Sequence, residues 1–109
     1  MASVAATIAE QIGRAALFMI GAKYLTASTR NGGREGLQFK IMRNTAGITH
    51  VWVTLDPDDT YTVSFLKVRK LTQTLVSESS GIYADQLCGV IREATGLETR
   101  MPTILRGSP

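Results

Sequence analysis

The chain has 109 residues, of which 44% are hydrophobic and 19% charged, and its net charge is +3. This length and composition predict one globular domain with its own core and argue against a disordered protein. One cysteine and one histidine exclude an intramolecular disulfide and a four-ligand zinc site within the chain. The longest apolar run, residues 15–22, is too short to cross a bilayer. We therefore expect a cytoplasmic protein, with a single domain over residues 1–99 and a mobile tail over residues 100–109.

The first predicted element is an amphipathic helix. Thr7 and Glu10 have the spacing of a capping box, and apolar residues then recur at helical spacing. Gly21 ends this helix or marks a bend, and a short strand from about Leu17 is the alternative. The next segment, TASTRNGGREG at residues 26–36, has no apolar periodicity, so we predict a loop there.

Alternating apolar and polar residues then predict strands that start near Leu37, Val51 and Tyr61. Short turns separate them, and a fourth strand follows at about residues 72–79. An apolar stripe predicts a final helix, capped by Ser80 and ended by Gly96, whose stripe consists of Ile82, Tyr83, Leu87, Val90, Ile91 and Ala94. The predicted fold is α+β: a four-stranded antiparallel meander with an N-terminal and a C-terminal helix, in the order α-β-β-β-β-α.

The most acidic stretch is LDPDDT, residues 55–60. Its three aspartates could hold a divalent cation, but the ligand spacing of a calcium loop is absent. Aspartate side chains also bind nearby backbone N–H groups, and proline presets a turn's second position. Because strands of matching alternation flank Asp56–Asp59, we predict a type I turn that joins them. We predict no metal site and no cofactor.

Other residues that could carry chemistry also fit ordinary structural roles. The glycine-rich loop lacks a phosphate-binding or dinucleotide-binding pattern, although Arg30 and Arg34 could reach a phosphate or a carboxylate. A Cys88–His50 dyad is the alternative to a buried, inert cysteine and a partly exposed strand histidine. The structural roles are favoured, so we expect no catalytic residues and no enzyme.

The basic residues form a second pattern. Lys40 and Arg43 follow the first predicted strand, and Lys67, Arg69 and Lys70 follow the third. In a meander these two strands run the same way, so both clusters lie at one end of the sheet.

His50 and Trp52 are predicted to project from the face opposite Val51 and Val53. An aromatic residue with a basic rim suits single-stranded nucleic acid. A charged, solvated sheet edge is the structural alternative. The partner-binding candidates are Arg30, Arg34, Lys40, Arg43, His50, Trp52, Lys67, Arg69 and Lys70.

Two longer segments carry a resemblance to a known family: LDPDDTYTVSF at residues 55–65 and SSGIYADQLCGVIREATGL at residues 79–97. With the segment ending in GAK (residues 21–23) and the LQFKI strand, they resemble a family of small uncharacterised proteins from tailed phages, prophages and plasmids. The resemblance covers about residues 10–97. It implies a mobile-element origin and a bacterial cytoplasm, and it implies no catalytic residues.

Two functions follow as hypotheses. The first is a non-enzymatic phage or mobile-element accessory protein that binds a host or element macromolecule, in one form an inhibitor of a bacterial defence system such as CRISPR. The alternative is a nucleic-acid-binding accessory protein that uses the basic end of the sheet. In the first hypothesis the partner is a host or phage protein.

Overall fold

A computed structural model of the chain describes residues 3–30, 34–97 and 99. Within them the fold is α+β, and an antiparallel sheet has the strand order β1-β2-β3-β4-β5. Each strand therefore pairs with its neighbours in sequence, as in the predicted meander. The strands are β1 (Lys23–Arg30), β2 (Arg34–Lys40), β3 (His50–Leu55), β4 (Tyr61–Arg69) and β5 (Thr72–Ile82), and the helices are α1 (Val4–Ile12), α2 (Arg14–Met19) and α3 (Leu87–Thr95).

The N-terminal helix begins earlier than predicted and is broken once. Ser3 is the N-cap of α1, and its hydroxyl accepts the Ala6 N–H at 3.1 Å. The capping box predicted at Thr7 is wrong, because Thr7 lies inside α1 and its hydroxyl donates to the Ser3 carbonyl. Gly13, at φ +95°, separates α1 from α2. A residue with a Cβ rarely adopts this conformation, so glycine permits the break.

The loop predicted for residues 26–36 is wrong, because most of this segment is β-sheet. β1 ends at Arg30 and β2 begins at Arg34, so the sheet in the described residues has five strands instead of four. β1 lies at the sheet edge, and its side chains from Lys23 to Ala27 are exposed. A strand without a buried face carries no alternating apolar signal, and β1 is held by its backbone pairing with β2.

The second half of the chain follows the prediction with shifted boundaries. β5 continues to Ile82, so the cap predicted at Ser80 is wrong. Tyr83 starts a single 3₁₀ turn instead, where its N–H donates to the Gln86 side chain at 2.9 Å. Gly96 ends α3 in the left-handed conformation, as predicted, with φ +76°.

The core lies between one face of the sheet and the helices. α1 packs mainly on β2, and α3 packs on β4 and β5. Leu87 and Ile91 of the predicted stripe are fully buried, whereas Tyr83 is 61% exposed and belongs to the connection before α3. The largest buried side chains of the core are Phe39, Phe65, Ile8, Ile20, Leu87 and Ile91. The predicted tail, residues 100–109, lies outside the described residues.

Candidate functional site: the open sheet face

Alternation along β3 divides its side chains between the two faces of the sheet. Val51 and Val53 are fully buried against the helix layer, and Trp52 lies between them on the opposite face, where it is half-buried. The described helices all lie on the Val51 side. We call the opposite side the open face. It carries Trp52 as the sequence predicted.

Trp52 is held in one position across the strands. Its indole N–H donates to the Ser28 hydroxyl on β1, although β2 separates β1 from β3. Neighbouring strands are about 4.8 Å apart, so an indole that joins β3 to β1 lies along the surface of β2. Gly36 of β2 pairs with both Ser28 and Thr54, and it has no side chain to obstruct the ring. The half-buried indole is therefore a fixed aromatic platform in the sheet face.

Beside Trp52 the open face carries polar side chains that bond within the chain, and next to His50 it carries the buried Leu66. The Ser64 hydroxyl, fully buried, donates to the Glu78 carboxylate at 2.6 Å. The Thr62 hydroxyl donates to Asp56 Oδ2, also at 2.6 Å. Buried polar groups need such partners. These bonds fix the buried polar side chains beside Trp52.

A row of basic residues crosses the open face near Trp52. Lys40 pairs with Lys23 on one side and with His50 on the other. Lys23 was not among the sequence-based candidates, because the sequence left its segment open between a helix and a short strand. Like charges directly opposite each other in a sheet are unfavourable. An anion bound across Lys23 and Lys40 would relieve this repulsion.

His50 has a structural environment that favours its neutral form. Its Nδ1 lies 2.8 Å from the Thr49 hydroxyl oxygen. Burial, and then the charge of Lys40, lower the pKa of His50 below its ordinary value. Both effects disfavour a second positive charge at this place.

The geometry does not bring His50 and Cys88 together. Cys88 lies in the helix layer, where its thiol donates to the Ile12 carbonyl at 3.1 Å. Burial raises the pKa of the Cys88 thiol, so it stays protonated near neutral pH. His50 alternates with Val51 and lies on the open face, so the sheet separates the two side chains.

The two basic clusters predicted at one end of the sheet do meet there. Leu66 of β4 and Lys40 of β2 both pair with His50, so the two strands run in the same direction on either side of β3. Lys67 is half-buried just beyond this level. Three further candidates are exposed toward the same end: Arg43, Arg69 and Lys70.

The remaining candidates lie at the other end. Arg34, 42% exposed, forms an ion pair with Asp56 at 3.2 Å, so this guanidinium already has a carboxylate partner. Arg30 is the last residue of β1, and its side chain lies outside the described part of the structure.

The acidic stretch is a turn, as predicted. The Asp59 N–H donates to the Asp56 carbonyl at 3.0 Å, and the Asp56 N–H donates to the Thr60 carbonyl at 2.8 Å. Asp59 has φ +66°, the left-handed position of a three-residue hairpin loop. Asp58 accepts the Thr60 N–H and hydroxyl through one oxygen. These hydrogen bonds lower the pKa of Asp58, the hydroxyl more than the N–H.

Comparison with protein-family models, with curated proteins and with solved structures gives no match for this chain. Residues 3–30, 34–97 and 99 contain no cluster of three or more histidine, cysteine, aspartate or glutamate side chains that could bind a metal ion. None of the helices described above has the length and apolar character needed to cross a membrane.

Proposed function

We propose that this chain is a non-enzymatic binding protein that takes a macromolecular partner on its open face. The observation that carries the proposal is the fixed position of Trp52, across a sheet surface on which no described helix packs. Tryptophan is enriched among the residues that contribute most to interface affinity. A side chain already held by Ser28 loses little conformational freedom on binding, which favours affinity.

The leading form of the proposal is an accessory protein of a phage or other mobile element that binds a host protein. A specific version is an inhibitor of a bacterial defence system such as CRISPR. The mobile-element origin depends on the resemblance of residues 55–65 and 79–97 alone. The separation of His50 from Cys88 supports the non-enzymatic part, because a thiol dyad needs these groups in contact.

A pull-down from bacterial lysate tests this form. The wild-type chain should recover a stoichiometric protein, and Trp52→Ala should lose it. Tyr83→Ala is the matched control, because Tyr83 is an exposed aromatic residue outside the open face. Equal recovery by Trp52→Ala and the wild type would reject the open face as the binding surface. Recovery of no stoichiometric protein would count against a host-protein partner.

The second candidate is a nucleic-acid-binding accessory protein, and the basic row beside Trp52 favours it. Bases stack on aromatic side chains while cations follow the phosphates, which is the arrangement used for single strands. Lys23 and Lys40 supply paired positive charge next to the indole platform. Arg43, Arg69 and Lys70 extend this charge along the same end of the sheet.

Mobility shift with short single-stranded DNA and RNA tests the second candidate. Binding should weaken steeply with salt, and Lys40→Ala should reduce the logarithmic salt slope by about 1. Arg14→Ala, an exposed cation on α2, should leave the slope unchanged. Absence of any shift at low salt would remove nucleic acid as a partner.

A further inference from the structure

The edge strand β5 lacks most of the devices that keep sheet edges apart. It is 11 residues long and forms one side of the sheet. Every residue from 72 to 78 is exposed, and the strand contains one charged residue, Glu78, and no proline. Long uncharged edges template pairing with another strand unless charge, proline or covering elements prevent it.

The opposite edge of the sheet, β1, is protected by comparison. It begins with Lys23 and ends with Arg30, and its register with β2 shifts between Lys23 and Thr26. Tyr24 has φ +58°, which breaks the extended conformation there. Charges and irregular backbone discourage strand addition at β1. β5 also has register shifts with β4, but it is longer than β1 and carries charge at Glu78 alone, so it is the edge more open to pairing.

We propose that β5 pairs antiparallel with β5 of a second copy of this chain, and that the two sheets become one continuous sheet around a two-fold axis. The distribution of charge along β5 indicates that its partner is a second copy of the chain. Arg69 and Lys70 precede β5, whereas Glu78, Asp85 and Glu93 lie at or beyond its other half. Antiparallel pairing brings the basic end of each copy to the acidic end of the other.

The bulge in β5 fixes a register that suits this symmetry. Ser77 pairs with Phe65 and Leu75 pairs with Leu66, so Val76 is the extra residue. With the two-fold axis between Leu75 and Val76, Leu75 of each copy lies opposite Val76 of the other copy. They are 50% and 43% exposed, and pairing removes both from water.

The same register matches faces for the pairs that flank the axis, Thr74 with Ser77 and Gln73 with Glu78. Glu78 and Gln73 lie on the open face, because they pair with Ser64 and Val68. The proposed register places Glu78 of one copy opposite Gln73 of the other. Glutamate therefore never faces glutamate, which would be unfavourable across a sheet.

Sedimentation velocity over a range of protein concentrations tests the dimer. A single added strand pair buries less than a standard interface, so a reversible dimer in the micromolar range is expected. Val76→Lys should make the chain monomeric, because it places two lysines at the axis. Met42→Lys is the matched control, since Met42 is similarly exposed but lies outside β5. A monomer at every concentration, or a dimer unchanged by Val76→Lys, would overturn the proposal.

A charge exchange tests the orientation. Lys70→Glu should weaken the dimer at least several-fold, and adding Glu93→Lys should restore much of the loss. Added salt should weaken the wild-type dimer and affect the single variant less. A parallel or open-ended assembly predicts no such restoration. Growth into fibres in place of a closed dimer would also reject it.

Discussion

The aspartates of the β3–β4 turn have separate structural roles, although they are adjacent in sequence. Asp56 accepts from the Thr62 hydroxyl and the Arg34 guanidinium, whereas Asp58 accepts from the Thr60 N–H and hydroxyl. Thr62 is buried, so its hydroxyl depends on a partner inside the chain. Residues of one type in one turn should therefore respond differently to substitution.

We expect Asp56→Ala to destabilise the fold by about 1–2 kcal/mol, because it leaves the buried Thr62 hydroxyl poorly satisfied. Asp58→Asn should change stability by less than about 0.5 kcal/mol, since an amide oxygen accepts the same Thr60 bonds. Urea unfolding of both variants measures the difference. Equal losses would mean that the Thr62 bond contributes nothing specific.

His50 gives stability a defined pH dependence. Its pKa is lowered in the folded chain, so the unfolded chain takes up a proton more readily. Stability should therefore fall as the pH drops through about 6.5, the ordinary histidine value. His50→Gln should flatten the dependence of the unfolding free energy between pH 7 and pH 5. A slope that survives this change would place its origin in the carboxyl groups.

Within single elements, substitution of glycine by alanine should have opposite effects on stability at two positions. A Cβ on Gly36 would lie 2.1 Å from the Val53 carbonyl oxygen of the neighbouring strand. A Cβ on Gly89, in the first turn of α3, would meet nothing within 4 Å. Backbone atoms leave no room for a Cβ at Gly36, whereas Gly89 has room for one.

Gly36→Ala should therefore separate β2 from β3 locally and lower the melting temperature. Gly89→Ala should raise stability by about 1 kcal/mol, the difference in helix propensity between the residues. Thermal melting of the two variants checks both signs. A stable Gly36→Ala variant would mean that β2 and β3 can shift apart at no cost.

The packing of α3 gives another prediction. Leu87→Ala removes a fully buried side chain and should cost about 2–5 kcal/mol. Val90→Ala is the matched change on the same helix, at a half-buried position, and should cost less. Denaturant unfolding of both variants measures which loss of stability is larger. A loss under about 0.5 kcal/mol for Leu87→Ala would contradict its place in the core.

Sequence patterns predicted the elements that have a buried face. Alternation located β2, β3 and β4, and the spacing of Leu87 and Ile91 located α3. β1 was missed, because its side chains from Lys23 to Ala27 are exposed and the glycine-rich segment after it indicated a loop, whereas β5, also an exposed edge strand, was predicted at about residues 72–79. The cap at Ser80 failed for a related reason, since β5 pairs with β4 as far as Ile82.

The candidate site was predictable only in part. Alternation along β3 predicted the side on which Trp52 lies, and the meander predicted that the basic clusters share one end. The bond from Trp52 to Ser28 and the pairing of Lys23 with Lys40 could not be predicted, because both depend on β1. The Arg34–Asp56 ion pair joins residues far apart in sequence, so no local sequence pattern predicts it.

At the scale of the whole molecule, the two proposed surfaces are linked by symmetry. A two-fold axis through paired β5 strands, perpendicular to the sheet, leaves both open faces on the same side of the continuous sheet. Two Trp52 platforms and two basic rows would then face one partner. A partner long enough to reach both would gain affinity through effective concentration without new contacts.

Oligonucleotide length tests this link. A long single strand should bind the wild type more tightly than a short one, beyond the gain expected from its additional sites. Val76→Lys should remove that advantage while the affinity for the short strand stays unchanged, because the variant alters only the β5 edge. Titration of both strands with both proteins measures the four affinities. A length advantage that persists in Val76→Lys would show that a single open face holds the whole strand.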